Sequence, residues 1–196
     1  WDLGTYPGCA PGGLADDAYA TGRPFSLLAN SDFHIHKQDR LFDYGPGVFN
    51  HTLVGVPSGD RTPAAILTAL RAGRTCAAQG HWLTFVDFSV TGEDGVARLG
   101  DTWHGGAARA LFEFDSTEPL ARVDWLGSLD GQTPGVVAAV GALPAGRHRL
   151  QLDVPAGARG FLRLRALSAG DERPAPGPRA PKGFFTSAVL LGGSTD

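Results

Sequence analysis

From residue 82 onward one kind of segment recurs: a short run in which apolar residues take alternate positions, closed each time by turn chemistry. In the run 82–90, Trp82, Thr84, Val86, Phe88 and Val90 fall on one face of an extended chain, and residues 92–95 supply the turn. Comparable runs follow at 108–114, 120–126, 136–140, 148–154 and 161–167, with Asp130-Gly131 and Pro144-Ala145-Gly146 as breaks. A strand with one apolar face must bury that face against another layer, so a series of them at short spacing predicts an antiparallel β-sandwich. In 147–154 and 161–167 the arginines occupy the polar positions, which places them on the solvent side. Residues 174–181 hold four prolines and read as an extended spacer before a last strand at 184–191.

The first part of the chain is patterned differently. Residues 62–73 carry the punctuation of a helix, with Thr62 as N-cap, Pro63 at the first helical position and Gly73 as the left-handed stop. Ile66, Leu67 and Leu70 share one face, which a helix packed on a sheet would bury, and residues 74–78 read as the start of a strand. Upstream, the apolar segment 25–29 reads as a strand that runs directly into Asn30-Ser31-Asp32-Phe33-His34-Ile35-His36. Between that run and the helix lies a long connection, 37–60, rich in Gly, Pro, Asp and Asn, of the kind that covers an active site.

The run 30–36 sets a carboxylate and two imidazoles at alternate positions. In an extended segment residues i and i+2 project to the same side, about 6.6 Å apart along the chain, so Asp32 and His34 can reach one ion or two neighbouring ions. Mixed oxygen and nitrogen donors suit Zn, Mn or Fe better than Ca or Mg. A simpler reading has Asp32 capping a turn and His34 half exposed against backbone. A local mononuclear site using His36, His51, Asp39, Asp43 or Asp60 is also open by composition.

Three stretches together resemble a known family. Asn30-Ser31-Asp32-Phe33-His34, then Ala64-Ala65-Ile66-Leu67-Thr68-Ala69-Leu70-Arg71-Ala72-Gly73-Arg74-Thr75, then Phe184-Phe185-Thr186-Ser187-Ala188-Val189-Leu190-Leu191 are similar to the last third of a PHP domain (the polymerase and histidinol phosphatase superfamily) and the all-β domain that follows it in the carbaryl-hydrolase-like branch. The resemblance implies a metal-dependent hydrolase, phosphoesterase-like, in which Asp32 and His34 are the last two ligands of a site for two or three divalent ions, Zn, Mn or Fe. It implies a small-molecule ester substrate, phosphoester or carbamate, cleaved by water that the metal activates. The family's opening His-x-His, its middle Glu and an intermediate His belong upstream of Asp32, yet residues 1–33 contain neither His nor Glu. The remaining ligands are therefore expected from an upstream part of the PHP domain, with this chain a C-terminal portion that is incomplete as a catalyst alone. His36 and Arg40 are the residues nominated to contact an anionic substrate or shuttle a proton; as plain loop residues they would be solvated.

The expected fold class is accordingly α+β, mostly β: the closing β-α-β portion of a distorted (β/α) barrel over residues 1–80, then an antiparallel β-sandwich over 81–196. Composition narrows the alternatives. Twenty-eight glycines and 14 prolines with only 19% charged residues suit many turns and short strands, and a net charge of −3 with interspersed signs leaves no basic footprint for nucleic acid. No apolar run has the length of a membrane helix, so no membrane span is expected. Cys9 and Cys76 are compatible with a disulfide or with separate thiols, and the compartment stays open. The competing function class is a non-catalytic β-sandwich module that binds carbohydrate or protein, with a degenerate metal motif. His81 and His104 border the junction between the two expected parts; surface packing is the plainer role for both.

Overall fold

The computed structural model describes residues 9–29, 50–169 and 182–192. They form two helices, α1 (Leu14–Ala20) and α2 (Pro63–Arg71), and twelve strands. These are β1 (Asn50–Val54), β2 (Thr75–Gln79), β3 (Leu83–Gly92), β4 (Gly95–Arg98), β5 (Thr102–Trp103), β6 (Ala108–Ser116), β7 (Leu120–Ser128), β8 (Gly135–Val140), β9 (Gly146–Val154), β10 (Arg159–Ser168), β11 (Gly183–Thr186) and β12 (Val189–Gly192). The β-rich α+β character expected from alternation is therefore present, and every alternating run named from the sequence lies on a strand.

Two sheets result. In the larger, β10 is central: β7 and then β8 extend it on one side. On its other side β11, β2 and β1 follow one half of β10, and β12 and β5 follow the other half. All these pairings are antiparallel except β12 with β5. The smaller sheet runs β4-β3-β6-β9, antiparallel throughout. One apolar cluster joins the two. Phe88, Val90, Phe112 and Phe114 come from the smaller sheet, and Trp125, Leu162, Leu164, Phe184 and Val189 from the larger. The Phe88 and Trp125 rings meet edge-on at 5.8 Å, and burial of each such side chain is worth roughly 1.5–3 kcal/mol.

Strands from both ends of the chain share the larger sheet, because β11 pairs with β2 as well as with β10. The last apolar stretch is two strands, not one. β10 pairs with β11 over Arg165–Leu167 and with β12 over Arg159–Leu162, and the Leu164 N–H that falls in the gap donates to the Thr186 hydroxyl at 2.9 Å. A buried N–H without a ladder partner must be satisfied by a side chain, and Thr186 supplies it.

α2 begins as its sequence punctuation predicts: the Thr62 hydroxyl accepts from the Ala65 N–H at 3.3 Å, and Gly73 at φ +75° lets the Arg74 N–H return to the Ala69 carbonyl at 2.9 Å. Gly100 lies against this end, where any Cβ would overlap the Ala72 carbonyl oxygen. The expected buried face is not observed. Ile66 and Leu67 are exposed, 37% and 50%, and Ala69 is the buried residue of the helix. α2 meets the body through its C-terminal end, so its apolar residues at mid-helix are left outward.

Three further differences have identifiable causes. Residues 25–29 join no sheet among the described residues, since their backbone groups bond to side chains: Leu27 N–H to Ser187 Oγ at 3.0 Å and Ala29 N–H to Thr52 Oγ1 at 2.9 Å. β1 lies inside the stretch read as one long connection, 37–60. Arg163 is not on a solvated face but fully buried, because α1 and the chain before it cover that side of β10. Its Nε donates to Asp16 Oδ1 at 2.5 Å and its Nη2 to the Cys9 carbonyl at 3.1 Å. On β9, by contrast, the outward arginines are exposed as expected.

Candidate functional site

Asp32, His34, His36 and Arg40, the residues to which the sequence assigns metal binding and proton transfer, lie outside the described residues, as does the proline-rich segment 174–181. The described residues fix how the chain reaches that run. The Thr52 hydroxyl accepts from the Ala29 N–H at 2.9 Å and donates to the Ala29 carbonyl at 3.2 Å, so both backbone groups of Ala29 are held by one side chain of β1. A β-branched residue on a strand has few rotamers, which makes Thr52 a rigid clamp. Leu27 and Ala29 join Ala77 and Phe185 in a small apolar cluster on the face of the larger sheet opposite the main core. Ala29, the last described residue before Asn30, is thus held against β1, the last strand on that side of the larger sheet among the described residues.

Next to Thr52 in sequence is His51. It pairs across the ladder with Ala78, and its ring stacks on His81 with centroids 4.3 Å apart and planes 14° from parallel. Neighbouring residues of a strand point to opposite faces, so His51 and Thr52 flank the two sides of β1. His81 arrives there because Gly80, at φ +74°, turns the chain out of β2; a Cβ at Gly80 would press on Lys182 and Trp82. The turn is tied down by Gln79, whose carbonyl accepts from Trp82 Nε1 at 2.6 Å and whose side-chain oxygen accepts from the Gly183 N–H at 3.0 Å. Two imidazoles therefore meet at one end of the β1–β2 ladder. In the sequence His51 belongs to the long connection and His81 to the junction, with nothing to bring them together; the signal that pairs them is ladder register, which only folding supplies.

His104 is elsewhere. With Asp94, Asp101 and Trp103 it lines a cleft of about 510 Å³ beside β5, at the opposite extreme of the larger sheet from β1. The two carboxylates there serve turns: Asp94 accepts from the Gly106 N–H at 2.9 Å, and Asp101 from the Arg98 N–H at 3.0 Å and from Arg74 at 3.2 Å. Among the described residues no three His, Cys, Asp or Glu side chains are grouped to hold an ion. Both cysteines are free thiols, Cys9 half-buried and Cys76 buried, and burial pushes both thiols up from their ordinary value. No helix among the described residues is long and apolar enough to cross a membrane.

Comparison with protein-family models, with curated proteins and with solved structures returns no match.

Proposed function

We propose that this chain is the C-terminal portion of a metal-dependent hydrolase of the PHP type, acting on a phosphoester or carbamate-type ester of a small molecule. Residues 1–80 would belong to the closing part of its barrel and residues 81–196 to the β-sandwich that follows. The observation that carries the reading is the clamp of Ala29 by Thr52. It fastens the last described residue before the run Asn30–His36 to β1, on whose other face His51 stacks on His81.

The donor set fits the ions the reading requires, since carboxylate and imidazole are the ligands that Zn, Mn and Fe favour. Asp32 and His34 would hold metal, with the remaining ligands supplied by an upstream part of the domain. When bound, such ions supply Lewis acidity toward the ester oxygen and acidify water. Arg40 would orient an anionic substrate oxygen through its planar fork of donors, and His36 would carry a proton to or from the reacting groups. His51 and His81 would place two further imidazoles near one end of the β1–β2 ladder.

Turnover of p-nitrophenyl phosphate and naphthyl carbamate esters by the full-length protein tests this. Asp32→Ala and His34→Ala should each lower kcat/KM by roughly a hundred-fold or more, His51→Ala by about ten-fold, and the 196-residue chain alone should show little hydrolysis. Robust turnover by the chain alone, or wild-type rates in Asp32→Ala, would remove the assignment. A full-length protein that hydrolyses none of these esters and retains a glycan would support the binding module instead.

A further inference from the structure

β9 is the last strand of the smaller sheet, and among the described residues nothing pairs with its outer edge. Its nine residues match β6 one for one, from Gly146 opposite Ser116 to Val154 opposite Ala108, without a register shift. By contrast, the β3–β6, β7–β8 and β7–β10 ladders each contain an irregularity. Open edges are ordinarily blunted by a bulge, a proline, a short strand or charged side chains; β9 has no bulge and no proline, runs nine residues, and carries charges of both signs. Among the described residues no strand takes up the row of backbone donors and acceptors along that edge of β9. On its inner side Leu150 and Leu152 are only partly buried, although they pack on the main core.

The outward residues of β9 are Arg147, Arg149, Gln151 and Asp153. That order is self-complementary. If a second copy lies antiparallel with Leu150 facing Leu150, Arg147 comes opposite Asp153 of the other copy and Arg149 opposite Gln151, and the two-fold axis repeats both pairs. Shifting the register by two residues one way sets Arg149 against Arg149; the other way it sets Arg149 against Asp153 but leaves Arg147 beyond the end of the ladder, so only the centred arrangement pairs all four outward residues with no like charges opposed. The existing partners do not compete strongly. Asp153 is 87% exposed with Arg109 on one oxygen, and Arg149 is 61% exposed at 3.4 Å from Glu113.

We propose that the chain associates with a second copy of itself through β9, edge to edge about a two-fold axis at Leu150, so that the two smaller sheets become one continuous sheet. The contact is isologous, as a closed dimer requires. Backbone bonds give it affinity, and the Arg147–Asp153 pairs give it register. Burial of Leu150 and Leu152 from both copies adds an apolar strip under the new ladder.

Sedimentation velocity over a concentration series tests it, using the chain, Arg147→Glu, Asp153→Arg and the double variant. A reversible dimer is expected for the wild type. Each single reversal sets like charges opposite one another at two symmetric places and should weaken the dimer by roughly ten-fold or more, and the double variant should restore it. Asp153→Arg leaves the contact of Arg147 with the Phe85 ring in place, so a shared loss in both single variants reports the pairing across the axis. A wild type that stays monomeric up to about 100 μM, well above the Kd of a specific interface, would overturn the proposal. So would a dimer that neither reversal weakens.

Discussion

Asp16 and Arg163 are both fully out of water, so the effect of the pair on stability depends on what remains when one member is removed. Asp16 also accepts from the Gly12 N–H at 2.7 Å, which ties the turn before α1 to the same carboxylate. Arg163→Ala or Asp16→Ala leaves an uncompensated charge under α1 and should destabilise the fold by about 3–5 kcal/mol in urea titration. Asp16→Ala combined with Arg163→Met should cost less than the sum, because no charge is stranded. A second residue-scale effect follows from Cys76. Its thiol is buried on the core side of β2, and burial raises its pKa, so the folded state holds a proton that the unfolded chain releases. Stability from this group is whole at neutral pH and declines as pH rises past about 9, the ordinary thiol value. Tyr19 is raised for the same reason and adds to the decline at higher pH. Cys76→Ala should lower stability at pH 7 through lost packing while flattening its fall between pH 8 and pH 10, measured by thermal melts across that range.

At the scale of elements, the break between β11 and β12 depends on one hydroxyl. Thr186→Val keeps shape and removes the acceptor for the Leu164 N–H, and should cost about 1–3 kcal/mol with the fold retained, by urea denaturation. An unchanged midpoint would mean that the gap in the ladder is satisfied otherwise. Elements governed by local rules were legible before folding: alternation placed β3, β6, β7, β8, β9 and β10, and Thr62, Pro63 and Gly73 bounded α2. Those governed by distant partners were not. Arg163 has the pattern of a wet position and becomes a core residue only because α1 brings Asp16 to it. Residues 25–29 have the composition of a strand but bond to Thr52 and Ser187 side chains instead of to a ladder. Ile66 and Leu67 look like a buried stripe and are exposed because α2 is held at its C-terminal end. For the site, the motif from Asp32 to His36 is visible in the sequence itself, whereas the stacking of His51 on His81 needs β1 and β2 in register.

At the scale of the whole molecule, the larger sheet ties the beginning of the chain to its end. β2 bonds to β11, the Leu27 N–H bonds to Ser187 Oγ, and Ser187 Oγ lies 2.8 Å from the Thr75 hydroxyl. Residues on either side of Gly80 are thereby set in one rigid frame, to which Ala29 is fastened by the Thr52 clamp. In the proposed hydrolase that frame would hold Asp32 and His34 steady against ligands from the upstream part of the domain, since a catalytic ligand gains from a scaffold that does not shift. Bound metal decides whether the chain belongs to such a hydrolase. Elemental analysis of the purified full-length protein is predicted to find about two or three equivalents of Zn, Mn or Fe per chain, falling in both Asp32→Ala and His34→Ala. A protein free of these metals, or one whose content Asp32→Ala leaves unchanged, would contradict it.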